Sequence, residues 1–223
     1  MTLMTATDFW EITQANASLI HPREDTETKL CDVEPPMDWT ALFGNENPVE
    51  IEVGCGNGDF LIESSKRHPG INYVGIERSR KYIRHTRERL LKRNITTVCL
   101  VCSDAVYFAD RYVADGSVQA YHIYFPDPWP KKRHHKRRIF NNDIWMGAMI
   151  RTLHPKGGRI HLATDYEAYF YEIRQKLDAA PSLTYIPPDL IETEQIPTNF
   201  EMKYRVEGRK IYRALYQIRV LRD

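Results

Sequence analysis

Two groups of residues in this chain have the types and spacing to do chemistry. The first is Glu52-Val53-Gly54-Cys55-Gly56-Asn57-Gly58. Glycines let a backbone turn tightly and let a ligand approach without a Cβ in the way. A dinucleotide fingerprint needs glycine at its first, third and sixth places, and the sixth place here is Asp59. A carboxylate before the turn also sits badly beside a pyrophosphate. Gly54 and Gly56 with Glu52 suit a ligand that has a cationic end and no phosphates. The second group is Pro126-Asp127-Pro128-Trp129-Pro130, followed at once by residues 131–138. The prolines fix φ and remove backbone donors, so the loop runs a defined course and can place one side chain, Asp127. Trp129 offers a face that can stack on a base or pack. Lys131, Lys132, Arg133, His134, His135, Lys136, Arg137 and Arg138 contain no acid, while the whole chain carries a net charge of only +1. Charge concentrated in this way is the footprint of phosphate binding.

Such groups need elements to hold them. Val49–Val53, Tyr73–Ile76, Thr97–Val101, Val118–Phe125 and Arg159–Ala163 read as strands, and the tail 210–220 alternates like a late strand. Helical patterns lie between them at 60–67, 78–93, 105–112, 140–153 and 166–177. Strands alternating with helices predict a doubly wound, mostly parallel α/β sheet. Acids fall just past four strand ends: Glu77, Asp104, Asp127 and Asp165. In open α/β sheets a ligand binds outside the carboxyl ends of the strands. Glu77 lies where an acid accepts from ribose hydroxyls, and Asp104 where it meets an adenine. A nucleoside with a cationic tail fits this rim, and S-adenosylmethionine, with its ammonium and sulfonium, is one.

The 223 residues leave room for one such domain with a real core. Residues 1–47 are polar and weakly patterned and read as an N-terminal arm with a helix at most, ahead of a domain over 48–223. No apolar run approaches the roughly 20 residues of a membrane helix, and the start lacks a secretory pattern. Cys31, Cys55, Cys99 and Cys102 form no disulfide framework, so a reducing cytoplasm is expected. Cys99 and Cys102 read as strand residues, and His134-His135 as phosphate contacts, so no metal is expected. The sequence leaves monomer and homodimer open.

Ile51–Gly58, Gly75-Ile76-Glu77, Asp104-Ala105, Phe125–Trp129, Lys131–Arg138, Ala163-Thr164-Asp165 and Thr198-Asn199-Phe200-Glu201 stand in the order found in the bacterial tRNA (guanine-N7-)-methyltransferases. Over residues 49–212 the chain resembles that family, most specifically in the Pro-Asp-Pro-Trp and basic block. The resemblance implies a seven-stranded class I methyltransferase fold and methyl transfer to N7 of a guanosine in the tRNA variable loop. It implies that Glu52, Glu77, Asp104 and Asp127 lie at the cofactor, with Asp127 also catalytic. It places Lys131, Asp165, Thr198, Asn199, Phe200 and Glu201 at the substrate, and Arg133 through Arg138 on the RNA. Guanine N7 has a free lone pair and no proton to remove, so Asp127 is expected to position rather than deprotonate. Two rivals remain at this stage. One is a cofactor-free RNA-binding protein on the same fold. The other is a methyltransferase for a base amino group, whose Asn/Asp-Pro-Pro-aromatic sequence Asp127-Pro128-Trp129 matches only in part.

Overall fold

The computed structural model describes residues 17–21, 26–187 and 199–220. Its centre is one twisted sheet of nine strands. In chain order these are β1 (Ser18–Ile20), β2 (Glu27–Lys29), β3 (Val49–Val53), β4 (Asn72–Glu77), β5 (Val98–Cys102), β6 (Ala120–Tyr124), β7 (Arg159–Thr164), β8 (Leu183–Ile186) and β9 (Tyr212–Ile218). The helices are α1 (Trp39–Phe43), α2 (Asp59–Arg67), α3 (Arg80–Leu91), α4 (Ala105–Tyr112), α5 (Asp143–Thr152), α6 (Glu167–Asp178) and α7 (Asn199–Val206).

Across the sheet the order is β2-β1-β5-β4-β3-β6-β7-β9-β8. Strands β3 to β7 are parallel, and β9 inserts antiparallel between β7 and β8. The chain winds outward from β3 to β5, then returns to place β6 on the other side of β3. That reversal is the switch point at which open α/β sheets bind ligands. β5 is buried throughout and β4 along all but its last residue, as expected for parallel strands covered on both faces. Ile51, Phe108, Tyr121, Trp145, Tyr169 and Tyr216 fill one layer. Phe60, Leu61, Ile83, Leu90 and Leu100 fill the other, against α2 and α3.

The doubly wound sheet is as the sequence predicts, and β5-β4-β3-β6-β7-β9-β8 are the seven strands of the class I type. Two further strands correct the reading of residues 1–47 as an arm with a helix at most. β1 pairs antiparallel with β5, Ser18 opposite Cys102, and β2 closes the edge. Three-residue strands carry too little alternation to be read, and Glu27-Thr28-Lys29 is polar because it is an exposed edge, where charge discourages further pairing. The helix expected over 140–153 starts later, because the Asn142 side chain accepts from the Trp145 N–H and caps α5.

Candidate active site

The carboxyl ends of β3, β4, β5 and β6 open into a cleft of about 980 Å³. This lies at the upper end of the size usual for small-molecule sites. Glu52 stands at its base. Its residue is 5 % exposed, and its Oε2 is shut off from solvent with no hydrogen-bond partner among the described residues. Burial first, then the charges of Asp59 and Glu77, push its carboxyl well above the usual carboxylate range.

Above Glu52 the glycine turn is held from two sides. The Gly54 and Cys55 N–H groups both donate to the Ile76 carbonyl, at 2.8 and 3.0 Å. From α3, the Thr86 hydroxyl donates to the Gly56 carbonyl at 2.8 Å. Arg89 donates to the Asn57 carbonyl and pairs with Asp59 at 2.7 Å. Gly54 has φ +75°, and a Cβ built there would meet nothing within 4 Å, so the turn leaves open space on the cleft side. Gly58 is different. At φ +72° its Cβ would lie 2.3 Å from Thr86 Cγ2. Gly58→Ala therefore adds left-handed strain to overpacking, on the order of 2–5 kcal/mol together. A melting temperature several degrees lower is expected. Thr86→Ser, which deletes Cγ2 and keeps the hydroxyl, should recover part of it. A Gly58→Ala protein that melts with the wild type would refute this account.

The four strand-end acids behave differently from one another. Glu77 accepts from the Gly56 N–H at 3.2 Å and the Ser79 N–H at 2.8 Å, so it ties the glycine turn to the next strand. Asp104 caps α4 through Val106 and Tyr107, with Arg78 3.7 Å from its other oxygen. Asp165 is held by Arg209 at 2.7 Å and does not line the cleft. Asp127 lines the cleft mouth and is exposed, and among the described residues no hydrogen bond or ion pair occupies its carboxylate. The loop bearing it is bracketed by two non-glycine residues in the left-handed region, Phe125 at φ +52° and Trp129 at φ +40°. Such positions cost about 1–3 kcal/mol each and persist where surrounding contacts enforce them.

The basic block folds as a short 3-10 helix over Lys132–Arg137. Lys131, Lys132, Arg133, Lys136 and Arg137 are exposed, and His134 and His135 are half-buried. Lys136 and Arg137 line the cleft beside Asp127. Trp129 is partly covered already: the Arg137 guanidinium sits 4.9 Å from its ring centre and His134 meets its edge. Arg138 departs from the expected RNA contact. It is 3 % exposed, and its side chain turns inward to the Pro128 carbonyl and Glu172. Glu201 is 1 % exposed and pairs with Arg213 of β9, so it too faces the interior rather than an open substrate surface. Asn199 and Phe200 begin α7, and Thr198 lies outside the described residues. Lys131 is exposed outside the cleft. Among the described residues no cluster of three His, Cys, Asp or Glu could hold a metal ion. No helix there is long and apolar enough to cross a membrane.

Residues 46–214 match the family described as "Putative methyltransferase". The tRNA (guanine-N(7)-)-methyltransferase of Geobacter metallireducens is 35 % identical over 190 residues, covering 83 % of this chain and 89 % of that protein. This chain belongs to the tRNA (guanine-N7-)-methyltransferase family. Among solved structures, the aminoglycoside resistance methyltransferase NpmB1 superposes with a TM-score of 0.59 at 16 % identity, covering 91 % of this chain and all of that one. SMU.1697c from Streptococcus mutans, solved in complex with SAH, superposes at 0.53 with 14 % identity, covering 84 % of this chain and 99 % of that one. These last two share the class I methyltransferase fold.

For a member of this methyltransferase family, the cleft fits S-adenosylmethionine on its own chemistry. A buried carboxylate with one orphaned oxygen calls for a cationic partner. The open face of Gly54 beside it leaves room for that partner's chain. Three contributors escaped the sequence reading: Thr86 and Arg89, which brace the turn, and Glu172, which meets Arg138. Each acts across 30 or more residues of chain, and no local spacing signals such a contact.

Proposed function

We propose that the protein transfers a methyl group from S-adenosylmethionine to N7 of a guanosine in the variable loop of tRNA, in the cytoplasm. The observation that carries this reading is the pairing of two unlike carboxylates in one cleft. Among the described residues Glu52 is buried with its Oε2 unpartnered, and Asp127 is exposed and unengaged. The first suits the cofactor's ammonium, and the second suits the donor edge of a base. Glu77 has lone pairs left for ribose hydroxyls after bracing the glycine turn, and Asp104 stands beside the adenine end. Lys136 and Arg137 line the cleft, and Lys131, Lys132 and Arg133 just before them in the chain are exposed, a set of cations that tRNA phosphates would meet.

When bound, the cofactor supplies an electrophilic methyl group on a positively charged sulfur. The protein's own work is then orientation. Guanine N7 carries its own lone pair, so no side chain must remove a proton first. Alignment of two reactants in one cleft can contribute on the order of 7–11 kcal/mol. Asp127 holds the guanine by accepting from its N1 and N2 donors. Its negative charge also stands near the purine as that ring becomes cationic.

The test is incubation of the purified chain with labelled S-adenosylmethionine and bulk tRNA, followed by nucleoside analysis. Label in 7-methylguanosine is expected. Label confined to a methylated amino group would move the assignment to the other acceptor chemistry. Binding of tRNA with no transfer and no heat of cofactor binding would leave only an RNA-binding protein.

A further inference from the structure

Arg138 lies in the most basic segment of the chain, yet it is the one cation of that segment that the fold has taken inside. Its Nε donates to the Pro128 carbonyl at 2.8 Å, ten residues earlier. Its NH1 meets Glu172, and its guanidinium lies over the Tyr169 ring at 4.6 Å from the centre. Both partners belong to α6, a helix packed on the sheet. Pro126, Pro128 and Pro130 have no N–H to offer, and among the described residues the bond from Arg138 is the one hydrogen bond to the backbone of 126–130. It falls between the two left-handed residues, Phe125 and Trp129, and next to Asp127.

Resting on the methyltransferase reading above, we propose that Arg138 is a positioning residue for the reaction and not an RNA contact. It closes residues 128–138 into a ring and fastens that ring to α6, which fixes where Asp127 stands relative to the cofactor end of the cleft. A planar guanidinium does this and an ammonium does not. Three directions are used at once: an Nε bond, a second bond from another nitrogen, and an aromatic face.

The two roles separate by measurement on the full chain with tRNA. An RNA contact depends on charge. Arg138→Gln would then lower the slope of log affinity against log salt by about one, as expected for one lost phosphate contact, and Arg138→Lys would keep it. A positioning residue depends on shape. Both variants are then expected to bind tRNA within threefold of the wild type with an unchanged salt slope. Both should lose about 30-fold or more in single-turnover methylation at saturating tRNA and cofactor. Glu172→Gln, which loosens the anchor and leaves the Pro128 bond in place, should lose less, about three- to tenfold. Exposed Arg133→Gln supplies the charge signature for comparison: its salt slope is expected to fall by about one, as for one lost phosphate contact. Arg138→Lys with a rate within threefold of wild type, or Arg138→Gln with the slope lowered by one, would overturn the proposal. If Arg138→Gln does not fold, Arg138→Lys and Glu172→Gln decide. If the wild type itself makes no 7-methylguanosine, the functional reading has failed, and the salt slope of Arg138→Gln still judges whether this side chain faces RNA.

Discussion

Glu52→Gln is expected to make the ligand-free protein more stable and the cofactor complex weaker. The reason is the sign of one interaction. Without ligand, the Glu52 carboxyl is buried, has an oxygen without a partner, and faces the charges of Asp59 and Glu77. Its folded-state pKa is therefore raised above the unfolded value of about 4.3. A raised carboxyl gives stability that is fully present below the unfolded pKa and is lost as pH rises through the folded one. Above the unfolded value the buried group is a liability, whether it stays ionised or must take up a proton, and the neutral amide removes that cost. Each kcal/mol recovered shows as roughly 2–4 °C in melting temperature for a chain of this size.

Cofactor binding reverses the balance. A cationic ammonium beside Glu52 favours the ionised form, through a charge-assisted bond of about 1.5–3 kcal/mol. Its loss corresponds to roughly 10- to 150-fold in affinity. Cofactor affinity of the wild type should rise with pH through the window between the ordinary carboxylate value and the raised one, releasing a proton there. The Gln variant should be flat across that window. Calorimetry in two buffers of different ionisation enthalpy reads the proton directly. A Gln variant that binds within twofold of wild type, or melts lower without ligand, would refute the assignment of Glu52 to the cationic end.

How much of this was legible in the sequence depends on how far apart the interacting residues lie. β4 ends on Glu77, Asp104 and Asp127 follow β5 and β6 within three residues, and Glu52 is the last residue but one of β3, just before the glycine turn, so the strand order and the position of the cleft follow from local pattern. What the acids do beyond that is not local. Glu77 and Asp104 stand at strand ends in any reading. That Glu77 spends its oxygens on the Gly56 and Ser79 N–H groups depends on the loop geometry. The basic block is the sharper case. Eight consecutive residues look alike as charge, and one of them is core. The sequence holds a faint sign, since Arg138 is followed by the apolar Ile139 and Phe140, the second of them fully buried. Its partners Tyr169 and Glu172 lie 31 and 34 residues further on, and nothing in the block points to them. The strands β1 and β2 were hidden for another reason: at three residues each their pairing is set by the edge of β5 and not by their own pattern.

Asp127→Asn is expected to cost the most activity of any single-atom change in the cleft. A carboxylate offers only acceptors, and the guanine edge bearing N1 and N2 offers only donors. The amide keeps one acceptor and turns a donor toward the second guanine N–H. One charge-assisted bond becomes neutral and the other is replaced by a clash of donors. At about 1.5–3 kcal/mol for each such bond, the loss is on the order of 10²–10⁴ in kcat/KM for tRNA. The loop should not move, because its course is set by prolines and by the Arg138 bond, and Asp127 has no protein partner among the described residues to lose. The melting temperature and cofactor affinity are therefore expected to stay near those of the wild type. The pH–rate profile separates positioning from base catalysis. If Asp127 only holds the guanine, neither protein shows a limb belonging to a catalytic base near neutral pH, and the Asn variant runs parallel to the wild type at a lower level. A limb present in the wild type and missing in the Asn variant, with tRNA affinity intact, would mean that Asp127 takes a proton after all. N7, with its lone pair already free, gives it none to take.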